Sequence, residues 1–131
     1  MIGLDTNIII RYLTQDNEIQ SKLATKLIEE TISIENPGFI TLLTLVEISW
    51  VLETCYKQNK TDICNVLNEI LVTKQLQVEK KESAFLALKQ SKTLNADFSD
   101  ALIFVISDKE GCEKTLTFDK KAQRVGMELL S

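Results

Sequence analysis

Four acids interrupt otherwise apolar stretches of this chain. They are Asp5 in Met1-Ile-Gly-Leu-Asp-Thr-Asn7, Glu47 in Leu42-Leu-Thr-Leu-Val-Glu-Ile-Ser-Trp-Val51, Asp100 in Asp97-Phe-Ser-Asp-Ala-Leu-Ile103, and Asp119 in Thr115-Leu-Thr-Phe-Asp119. An unpaired carboxylate is costly to remove from water, so an acid inside an apolar run calls for a partner. A divalent cation is one such partner. The chain contains no histidine, so its donors are hard oxygens, which favour magnesium or manganese over zinc. The same absence removes every Ser-His or Cys-His nucleophilic arrangement. Metal-activated water is the chemistry that remains easy to build. Without metal, carboxylates gathered for that purpose repel one another, and at least one should have its pKa raised above the unfolded value.

Each acid also has a structural reading. Asp5 in Asp-Thr-Asn before a helix, and Asp119 before Lys120-Lys-Ala-Gln-Arg124, are well placed to cap helix N-termini. Asp97 reads as a cap with Asp100 reaching back to it, yet the helical neighbours of Asp100 are Ile103 and Phe104, which point its face towards the core. Glu47 is the most diagnostic. Its neighbours at three and four positions are Leu43, Thr44, Trp50 and Val51, an apolar face with no helical ion-pair partner.

The elements that must position these groups follow from periodicity. Ile2 to Leu4, Phe39 to Thr41, Leu76 to Val78, Thr115 to Phe118 and Met127 to Leu130 read as short strands. Helices are expected from Ile8 to Leu13, Asn17 to Ile34, Leu42 to Tyr56, Thr61 to Thr73, Lys81 to about Ser91 and Ser99 to Lys109, with a helical turn or two from Asp119 to Arg124. Strands alternating with helices imply an α/β fold with a short parallel sheet covered on both faces. Ligands of such sheets bind beyond the carboxyl ends of strands, where Asp5 and Asp119 fall.

At 131 residues and 44% apolar content, the chain fits a single domain over residues 1–131. One proline and four glycines leave little material for a linker. No stretch approaches a membrane span or has the form of a signal peptide. Cys55, Cys64 and Cys112 form no C-x-x-C pair, which suits a reducing cytoplasm, and Cys55 and Cys64, in helical patterns, read as small core hydrophobes. The net charge of −4 argues against bulk electrostatic capture of nucleic acid, but does not exclude a nuclease whose site holds cations. Lys109, Lys114, Lys120, Lys121 and Arg124 are interleaved with Asp108, Glu110 and Glu113 and read as a solvated face.

The opening Asp-Thr-Asn, the lone Glu in an apolar helix, the Asp-Phe-Ser-Asp-Ala-Leu-Ile segment and the late Thr-Phe-Asp together resemble the PIN domain, and within it the VapC-like toxins. The resemblance covers essentially the whole chain and implies a three-layer α/β/α sandwich. It implies that Asp5, Glu47, Asp100 and Asp119 form an acidic quartet binding Mg²⁺ or Mn²⁺, with Asn7 and Thr117 as polar neighbours. It further implies an endoribonuclease acting on RNA, a homodimer, and a cognate antitoxin. A haloacid-dehalogenase phosphatase also opens with an apolar strand and Asp, but wants a second Asp where Asn7 stands. A catalytically silent PIN-fold binding module, its acids serving as caps, is the remaining alternative. For assembly, Ile63, Leu67 and Ile70 share one helical face and are the expected dimer contact.

Overall fold

Short apolar runs bounded by turn residues become strands, and the periodic stretches between them become helices. The computed structural model describes every residue from Met1 to Ser131. The chain gathers into two compact units, Met1–Glu79 and Lys80–Ser131.

The first unit holds β1 (Ile2–Gly3), α1 (Thr6–Thr14), α2 (Glu18–Lys26), a π-helical turn (Leu27–Thr31), β2 (Gly38–Ile40), α3 (Leu42–Thr54), α4 (Lys60–Val72) and β3 (Leu76–Val78). Its strands run parallel in the order β1-β2-β3, with Ile2 opposite Gly38 and Gly38 opposite Leu76. Glycine leaves room at that crossing, since a Cβ on Gly38 would stand 2.6 Å from Leu4 Cδ1 and 3.2 Å from Leu76 Cδ2 and these side chains would have to shift. Helix starts follow the capping residues. Asn17, Thr41 and Asn59 accept from the backbone N–H groups of Gln20, Thr44 and Asp62, which satisfies donors the helices leave orphaned. α1 packs on α2 and α3, and α3 on α4, around Ile10, Ile40, Leu45, Ile48, Leu52, Leu67 and Leu71. The end of α1 is tied to the end of α3 through Asp16, which accepts from the Tyr56 hydroxyl at 2.5 Å.

The second unit holds α5 (Lys81–Leu94), α6 (Phe98–Lys109), β4 (Leu116–Thr117), a 3₁₀ helix (Lys120–Val125) and β5 (Glu128–Leu129). β4 and β5 pair in parallel. α5 and α6 pack on each other and on the 3₁₀ helix around Ala84, Ala87, Leu88, Ala101, Val105 and Ala122. The α/β class with short parallel strands is therefore the one the sequence leads to.

Four expectations need correction. The helix expected from Asn17 to Ile34 stops as an α-helix at Lys26 and widens to a π turn. There Ile32 N–H reaches Leu27 O, and the β-branched Thr31-Ile32 pair then leaves the helix. Ile63, Leu67 and Ile70 are not a subunit contact, because all three are buried within the first unit. Cys55 is exposed at the end of α3 and is no core residue, whereas Cys64 is buried. Finally, the stretch from Leu42 to Tyr56 reads as a helix too apolar to lie on the surface, yet α3 is not wholly interior. Thr44, Leu45, Ile48 and Leu52 face the core, while Leu43 and Trp50 are 71% and 63% exposed.

Candidate active site

In the first unit, the strand-to-helix turn after β1 places Asp5 at the start of α1 with extended backbone. An ordinary cap accepts from the second or third N–H of its helix, whereas the Asp5 carboxylate turns back to the first, taking Thr6 N–H on Oδ1 at 2.8 Å. Thr6 is buried, and its hydroxyl donates to Glu47 Oε1 on α3 at 2.9 Å. One residue thus bonds both carboxylates, from elements 41 residues apart in the chain. Glu47 lies on the exposed face of α3 with Leu43 and Trp50, because the helical period that buries Thr44, Ile48 and Leu52 turns these residues to solvent.

In the second unit, Asp97 caps α6. Its Oδ1 accepts from the backbone N–H groups of Ser99 and Asp100 at 2.8 and 3.3 Å and from the Ser99 hydroxyl. That leaves Asp100 one turn inside the helix and half-buried. Its pKa is raised, first by partial burial and then by the negative charges of Asp97 and Asp119. Asp119 starts the 3₁₀ helix, accepting from Lys121 N–H at 2.9 Å, and its own N–H donates to Thr117 Oγ1 at 3.0 Å. Thr117 therefore shapes the turn that presents Asp119.

Asp5, Glu47 and Asp119 are exposed, so the apolar face expected around Glu47 is not an interior one, while Asp100 is half-buried and carries a desolvation cost. Ile103, taken as a marker of the core beside Asp100, is 52% exposed. Asn7 bonds neither acid. It lines a cleft with Ile8, Arg11, Gln20, Leu23, Ala24 and Leu27. Thr6 was missed by sequence reasoning, although a β-branched hydroxyl directly after an acid at a helix start was the available signal.

Within neither unit do three acidic or thiol side chains gather closely enough to hold a metal ion by themselves. The chemistry of the donors nevertheless fits a hard divalent cation. Asp5 and Glu47 each commit one oxygen to Thr6 and leave the other without a protein hydrogen bond, and the charge gathered around Asp100 is negative.

Two comparisons with known proteins bear on this arrangement. The sequence model of the PIN domain matches residues 2–127. A VapC ribonuclease of Aquifex aeolicus (strain VF5) is 24% identical over 128 residues, covering 98% of this chain and 94% of that protein.

Proposed function

The chain belongs to the PIN domain family, and from that premise we propose that it is a metal-dependent endoribonuclease, the toxin of a toxin–antitoxin pair. The family match runs over residues 2–127, through the sequence of both units. The observation that carries the reading is the pairing of the acids: Asp5 with Glu47 through Thr6, and Asp100 within the field of Asp119. Caps alone do not require such pairing. The relative named as a ribonuclease supports RNA as the substrate.

In this reading Asp5, Glu47, Asp100 and Asp119 hold Mg²⁺ or Mn²⁺, with Asn7 and Thr117 contacting substrate or supporting the ligands. When bound, the ion supplies an activated water and neutralises charge developing at the scissile phosphate. The protein supplies the placement. Thr6 ties down one oxygen of each of two carboxylates, and Thr117 fixes the backbone that carries Asp119. Asp97, whose Oδ1 caps α6 and accepts from the Ser99 hydroxyl, is read as a cap and stands outside the proposed ligand set. The family resemblance adds a cognate antitoxin, a homodimer and a cytoplasmic setting. No helix is long and apolar enough to cross a membrane.

RNA cleavage assayed with Mn²⁺ and with chelator tests the proposal. Asp5→Asn and Asp100→Asn should each lower the Mn²⁺-dependent rate by about 100-fold or more, the scale of losing one charge-stabilising group, in proteins that melt normally. Asp97→Asn should be mild, because Asn caps as well as Asp. A wild-type protein that binds RNA but never cleaves it would leave a silent binding module as the correct reading.

A further inference from the structure

Thr6 occupies a position that its neighbours do not explain by packing alone. Its side chain is buried, so its hydroxyl must find a partner inside the protein. Backbone carbonyls of the preceding turn are the usual recipients for threonine in helices, and Thr14 in the same helix does bond Ile10 O at 2.8 Å. Thr6 stands at the first position of α1, where no preceding turn exists, and gives its single proton to Glu47 Oε1 at 2.9 Å instead. Glu47 is itself exposed and has no ion-pair partner. A long, solvated glutamate would otherwise sample many rotamers; this bond holds it to one side of α3. The β-branched side chain of Thr6 has few χ1 choices, so the anchor is stiff.

Resting on the nuclease reading above, we infer that Thr6 is a positioning residue, which presets the Glu47 carboxylate, beside Asp5, for a divalent cation. The backbone N–H of Thr6 orients Asp5 whatever the side chain, while the hydroxyl orients Glu47 alone. Side-chain substitutions therefore isolate the Glu47 half of the arrangement. Removal of a group that orients a metal ligand weakens metal binding by about 10–100-fold, and that is the effect expected here.

The experiment is calorimetric titration of Mn²⁺ into the purified protein without RNA, beside thermal melting in chelator. Thr6→Val keeps shape and burial but lacks the proton; it should weaken Mn²⁺ binding by about 10-fold or more, and Thr6→Ser should restore it. If Thr6→Val does not fold, Thr6→Ala takes its place against the same Thr6→Ser control. In a Glu47→Ala background the Thr6 substitution should have little further effect, as coupling through Glu47 demands. Equal Mn²⁺ affinity in wild type and Thr6→Val would overturn the inference and leave the nuclease reading intact. So would a loss undiminished in the Glu47→Ala background. A wild-type protein that neither binds Mn²⁺ nor cleaves RNA with it would remove both.

Discussion

At the scale of single residues, Asp100 is the half-buried member of the four acids. Burial and the charges of Asp97 and Asp119 raise its pKa, which fixes the sign of its contribution to stability. Below the ordinary aspartate pKa it is protonated whether the chain is folded or not, and it contributes nothing. Above its folded value it is ionised in both states, and the native state alone carries the repulsion and desolvation. Stability therefore falls as pH climbs from the ordinary value through the raised one. Asp100→Asn should raise the melting temperature in chelator at pH 7 by about 2 °C at most, since solvent still screens the group, and the gain should vanish in acid. A gain that persists at low pH would mean that the charge is not the cause. Sequence alone singled out the four acids, because their types and their neighbours are visible there. It misjudged their exposure. Leu43, Trp50 and Ile103 are apolar residues that face solvent, and an apolar neighbour marks the core only when the helix turns that side inward.

At the scale of elements, all five strands and every helix were legible, because turn residues and caps punctuate the chain and the periodicities between them are clean. What the pattern could not show was the shape of the turns that join them. The π turn after α2 carries the same apolar spacing as the helix it interrupts. The last loop is a second case. Gly126 closes the 3₁₀ helix at φ +118°, where a side chain is strained, and a Cβ there would lie 2.6 Å from Phe104 Cζ on α6. Gly126→Ala should therefore destabilise the fold by about 2 kcal/mol, from backbone strain and overpacking together, read as a lower urea midpoint. Phe104→Leu in the same chain should recover part of that loss by opening space, while the φ cost stays. No recovery would assign the whole penalty to the backbone.

At the scale of the whole molecule, the question is which apolar surface the proposed homodimer uses. A periodic apolar stripe looks the same in sequence whether it faces a core or another subunit, and for this reason Ile63, Leu67 and Ile70 were misplaced. Leu67 is completely buried, so Leu67→Glu should unfold the chain, an isolated carboxylate in the core costing several kcal/mol. α2 differs. Ile19 and Leu23 lie four apart on one face of that helix and are 74% and 65% exposed. A two-fold contact buries such a face twice without open-ended growth, so the dimer, if formed here, should be broken by Ile19→Lys with Leu23→Lys. Light scattering comes first, and the wild type should have the mass of two chains at micromolar concentration. The doubly substituted chain should then scatter as a monomer while keeping its circular dichroism, because neither side chain belongs to the core. A folded dimer after both substitutions would move the contact off α2, and a wild type that stays monomeric at high micromolar concentration would end the homodimer proposal.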